Sequence, residues 1–99
     1  MAVLVEIHFP MTADDEWIDD VGDYLIDLEE EFGLEEFDDG EESGDAYIFF
    51  IAGASERTLL RAASRVATRD GVPAGAFAMV SDTNAPRVGM GRRVDLPVR

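Results

Sequence analysis

From Trp17 to Phe32 the chain repeats one arrangement: Trp17, Ile18, Val21, Tyr24, Leu25, Leu28 and Phe32 recur at i, i+3/i+4, i+7 spacing, and the remaining positions are nearly all Asp or Glu. This is the pattern of a helix with one buried stripe and an acidic outer face, and it demands a second layer to cover the stripe. The helix is expected from Ala13 to Phe32. Thr12 is the expected N-cap and Asp15 an acid in the first turn, where the helix dipole favours negative charge. Gly33 suits the left-handed position that stops a helix.

The flanking segments change period. Val3, Val5, Ile7 and Phe9 share one side of a strand, and Leu4, Glu6 and His8 share the other. Leu34 to Asp39, with Phe37, predicts a short strand, and Gly40 to Gly44 has the composition of a turn. Asp45 to Ala52 is a run that is aromatic and apolar on both faces, as suits a strand in the middle of a sheet. Ser55 caps a second helix whose stripe is Leu59, Leu60, Ala63, Val66 and Ala67, closed by Asp70-Gly71. Gly75 to Asp82 reads as a further strand. Thr83 to Pro86 turns the chain, and Arg92 to Leu96 either adds an edge strand or stays in a mobile tail.

The resulting order is β-α-β-β-α-β, with each helix amphipathic on one side. Two interleaved right-handed crossovers give a ferredoxin-like α+β sandwich, two helices on one face of an antiparallel four-stranded sheet. One domain is expected over 1–82 and a C-terminal extension over 83–99. In 99 residues that are 46% hydrophobic there is room for one core.

Asp39-Gly40, Gly44, Ile48-Phe49-Phe50-Ile51, Gly53 and Leu59-Leu60 together resemble a loose group of small bacterial ferredoxin-like proteins of unknown function. There an Asp-Gly turn, a Gly, an Ile-Phe-rich strand and a closing Gly precede the second helix. The resemblance covers the middle third of the chain and rests on turn and core residues, so it implies a fold and no activity.

Charge narrows the partners. All eight cations are arginines at or beyond Arg57, whereas nineteen of twenty-two carboxylates lie at or before Glu56, and the net charge is −14. Such a chain repels nucleic acid and anionic membrane and attracts basic partners. No cysteine is present, which removes disulfides, thiolate metal sites and thiol nucleophiles and fits a reducing cytoplasm. The first ten residues alternate like a strand and lack a basic leader, so a cytoplasmic protein without a signal peptide is expected.

Four constellations carry the functional reading. The carboxylates Asp14, Asp15, Glu16, Asp19, Asp20, Asp23, Asp27, Glu29, Glu30 and Glu31 cover the first helix. Either they are a solvated face, or they imitate phosphate charge and fill the basic cleft of a nucleic-acid enzyme. Asp38, Asp39, Glu41 and Glu42 offer calcium-type oxygen ligands out of register with an EF-hand, and a solvated hairpin explains them as well. Glu6 and His8 could do acid/base work, or be a partly exposed strand histidine with an incidental neighbour. Arg57, Arg61, Arg65 and Arg69 step by four into a ridge suited to pairing with carboxylates; Gly89 to Arg93 is too short for a phosphate loop.

The expectation is therefore a non-enzymatic acidic protein-binding module, sharpest as an immunity or inhibitor protein against a nucleic-acid enzyme. No catalytic residue, metal or cofactor is expected. The partner face comprises Asp15, Glu16, Asp19, Asp20, Asp23, Asp27, Glu30, Glu31, Asp38, Asp39, Glu41 and Glu42. One alternative is a dimeric small-molecule-binding or weakly catalytic ferredoxin-like domain, a homodimer joined through the sheet face opposite the helices, with Leu4, Glu6, His8, Tyr47 and Phe49 lining a ligand pocket or the dimer contact. Another is a structural subunit of a larger assembly.

Overall fold

The computed structural model describes residues 3–13, 15–82 and 91–98, without the side chains of 38 and 39. Among the described residues seven elements follow one another: β1 (Val3–Pro10), α1 (Glu16–Phe32), β2 (Glu35–Ser43), β3 (Ala46–Ala52), α2 (Glu56–Ala67), β4 (Phe77–Asp82) and β5 (Arg92–Asp95). The strands form one antiparallel sheet in the order β2-β3-β1-β4-β5. This mixed α+β arrangement is compatible with a ferredoxin-like fold, but the sheet is wider than the four strands expected. The fifth described strand is the arginine-bearing edge, and Val94 and Leu96 pack on the main core, so that segment belongs to the same body as the rest.

Both helices lie on the face formed by Val5, Ile7 and Phe9 of β1 with Phe49 and Ile51 of β3. Trp17, Val21, Leu25 and Leu28 from α1 and Leu59, Ala62, Ala63 and Val66 from α2 complete the core. Phe9, Trp17, Tyr47 and Phe49 pack ring against ring at 5.1–6.4 Å, the tilted and edge-on contacts that aromatic quadrupoles favour.

Three boundaries depart from expectation. Thr12 does not cap α1: its Oγ1 accepts the Trp17 indole N–H at 3.1 Å, and the helix starts at Glu16 with Asp15 as cap. α2 ends at Ala67, where Thr68 N–H bonds back to Ser64, before the expected Asp70-Gly71. Asp39-Gly40 is no turn. β2 runs on to Ser43, and the turn is Gly44-Asp45, with Ser43 opposite Ala46. Gly33 and Ser55 act as expected, the first at φ 68°, the second accepting Thr58 N–H.

β2 reaches its length through two bulges, because Glu36 faces Ile51, Asp38 faces Phe50 and Glu41 faces Ile48. Each bulge places one extra residue on the outer strand, Phe37 in the first. A bulged, carboxylate-rich edge resists pairing with another chain.

Candidate functional site

The pitch of α1 sorts its carboxylates into three strips. Toward α2, Asp20 receives Arg69 Nε at 2.8 Å and Nη2 at 3.3 Å, and Glu31 receives Arg65 Nη1 at 2.7 Å. The Arg69 guanidinium lies 4.1 Å over the Tyr24 ring. Hydrogen bonding to Arg69 holds Asp20 below the usual carboxylate range, and Arg65 and Arg69 rise above theirs chiefly through bonds to Glu31 and Asp20. Toward β2, Glu29 accepts the backbone N–H of Glu36 at 3.2 Å. Outward, Asp19, Asp23, Asp27 and Glu30 are exposed and form no ion pair among the described residues. Asp15 and Glu16 are exposed at the start of the helix; Asp14 lies outside the described residues.

The arginine ridge divides for the same geometric reason. Each step of four residues turns about 40° around the helix, so Arg65 leans toward α1 while Arg57 and Arg61 flank Val98; Arg69, just past the end of α2, also reaches α1. Val98 N–H donates to Ser64 Oγ at 2.9 Å, holding the segment after β5 across α2. Arg92 pairs with Glu56 at 2.7 Å.

Glu41 and Glu42 are exposed on β2, and Asp38 and Asp39 fall on the same strand. Among the described residues no group of three His, Cys, Asp or Glu converges on a possible metal position.

The histidine of β1 is not the partly exposed residue of the simplest expectation. His8 is 8% exposed and Glu6 1%, and Nε2 stands 2.9 Å from Glu6 Oε1. The His8 ring stacks on Phe77 of β4 with centroids 4.8 Å apart, and the Arg93 guanidinium lies 4.0 Å over that same phenyl ring, itself bonded to Asp95 at 3.1 Å. The result is a ladder across three strands, carboxylate to imidazole to phenyl to guanidinium to carboxylate.

The strand register also separates the residues expected to line one pocket. Val5, Ile7 and Phe9 face Ile51, Phe49 and Tyr47, so Tyr47 and Phe49 point toward α1. Leu4, Glu6 and His8 share the opposite face with Ile48 and Phe50, and Leu4, Ile48 and Phe50 are buried within the single chain.

What the register does create with Tyr47 is a cleft of about 550 Å³ between α1 and the β2–β3 edge. Ile18, Gly22, Gly40, Tyr47 and Phe49 line it together with the carboxylate-bearing Asp19, Asp23 and Glu36. Nothing lies within 4 Å of where a Gly22 side chain would begin. The large hydrophobics exposed among the described residues are Ile26, one helical turn beyond Gly22, and Phe37, next to Glu36. Sequence patterning passed over all three; a glycine inside an otherwise unbroken helical pattern was the available signal. No helix is long and apolar enough to cross a membrane among the described residues. Comparison with protein-family models, curated proteins and solved structures finds no match.

Proposed function

We propose that the chain is a non-enzymatic acidic module that binds a basic protein through the outer face of α1. Its sharpest form is an immunity or inhibitor protein that fills the basic site of a nucleic-acid enzyme. One observation carries the reading: Arg65 of α2 and Arg69 just beyond its end pair with Glu31 and Asp20, and the outward strip of Asp19, Asp23, Asp27 and Glu30 forms no ion pair among the described residues. That strip spans roughly 16 Å along the axis at 1.5 Å per residue. Like charges so arranged repel one another, and a partner of opposite sign relieves that repulsion while its encounter is steered by the field.

The test is retention of partners from a lysate of the source organism by wild type and by the triple variant Asp19→Lys/Asp23→Lys/Asp27→Lys, at low and high salt. A basic protein retained one-to-one by wild type, released by salt and ignored by the variant is the expected result. The same protein held equally by the variant, with the same salt profile, would refute the reading.

A further inference from the structure

We propose that the cleft between α1 and the β2–β3 edge receives an arginine side chain of that basic partner. The inference rests on the acidic-face reading above and says where on that face the partner is gripped. Its ground is a comparison between the two flanks of α1. On one flank Asp20 and the Tyr24 ring hold Arg69, the carboxylate bonding the guanidinium edge and the ring meeting its plane. On the other flank Asp19, Asp23 and Tyr47 line one cleft, carboxylates and a phenol ring again in one place, and no arginine among the described residues lines it. The described arginines stand on α2, just past its end at Arg69, and on β5, and none of them lines this cleft; the occupant proposed is the partner's.

Gly22 supplies the second observation. A glycine inside a helix is less stable than alanine, and no neighbour forbids a side chain here, since an added Cβ meets nothing within 4 Å. What the missing side chain does leave is a slot of open space in a cleft lined both by Ile18 and Tyr47 and by the carboxylates Asp19, Asp23 and Glu36. That combination suits the aliphatic stem and flat, weakly hydrated head of arginine better than the compact ammonium of lysine. Exposed Ile26 and Phe37 give apolar contacts for the residues on either side of it.

The experiment uses the full chain with two fluorescein-labelled peptides of equal charge, hexa-arginine and hexa-lysine, followed by anisotropy. An acidic face without a slot binds both alike. The slot predicts about fivefold tighter binding of hexa-arginine, lost in Gly22→Phe, a variant that fills the space and leaves every charge in place. The hexa-lysine affinity of that variant stays at the wild-type value. Amide shifts in the wild-type ¹H–¹⁵N spectrum should centre on residues 18–23 and 47 with hexa-arginine, a readout independent of any variant. Circular dichroism checks that Gly22→Phe is folded, and Asp19→Asn/Asp23→Asn, which loses hexa-arginine more than hexa-lysine, serves as the second variant. Equal affinity for the two peptides, an arginine preference that survives Gly22→Phe, or shifts centred elsewhere overturns the slot and leaves the acidic face standing. Failure of both peptides to bind in a salt-dependent way overturns the acidic face, and the slot with it.

Discussion

Replacing His8 by alanine tests whether the Glu6–His8 pair is part of the core or a surface ornament. At 1% exposure, the Glu6 side chain is out of water, and its Oε1 shares a hydrogen bond of 2.9 Å with His8 Nε2. Removing one member of such a pair strands the other, at a cost of about 3–5 kcal/mol. Glu6 keeps a further interaction, which argues for the lower end; loss of the stack on Phe77 adds about 0.5–1.5 kcal/mol. The expected loss is therefore about 3–4 kcal/mol, a large part of the 5–15 kcal/mol typical of a domain. Urea unfolding at neutral pH, followed by far-UV circular dichroism, should show a lower midpoint at unchanged slope. The paired replacement Glu6→Leu/His8→Phe removes both polar groups and retains a ring to stack on Phe77, so it should return to within about 1 kcal/mol of wild type. A loss below about 1 kcal/mol in His8→Ala, or a paired variant less stable than His8→Ala, would refute a buried, mutually dependent pair.

Gly22→Ala should raise unfolding stability by about 0.5–1 kcal/mol, the helix-propensity difference with no steric cost; a fall in the urea midpoint would contradict the open space above residue 22. Asp20 is held below its ordinary value of 3.8 by Arg69. The stability it contributes is therefore complete above that value and is lost as pH falls through the lowered one. In a double-mutant cycle of Asp20→Asn and Arg69→Gln, the coupling measured at about pH 6 should fall as pH is lowered below 3.8, and coupling that does not change on acidification would contradict the assignment. Gly91 adopts φ 122°, and a Cβ there would collide with the Val80 carbonyl. Gly91→Ala should cost about 1–3 kcal/mol and speed amide exchange in β5 ahead of β1; uniform protection across both would speak against it.

Much of the architecture is legible along the chain because it is written locally. The stripe from Trp17 to Phe32 and the apolar alternation from Val3 to Phe9 need only neighbouring residues to be recognised, and Gly33 and Ser55 announce helix ends by their own chemistry. The strand after α1 was harder. Two bulges in β2 break the period-two pattern, so the run from Glu35 to Ser43 looks like a short strand and a loop. The acidic face of α1 was legible as a face, but not the division of its carboxylates: a list of Asp and Glu does not say which of them an arginine 34 or 49 residues away will take.

The period and capping chemistry of the chain determined which segments become helices and strands and in what order, since those depend on interactions within a few residues. The tertiary structure alone decided on which sheet face each side of β3 lies, because Tyr47-Ile48-Phe49-Phe50-Ile51 is apolar on both sides and carries no information about direction. Pairing of Val5 with Ile51 and Ile7 with Phe49 settled that choice. It sent Tyr47 beneath α1 to make a cleft and left Glu6 and His8 together in a buried pair on the other face. Long-range register, fixed by packing both faces at once, is what converts a readable series of elements into a particular set of neighbours.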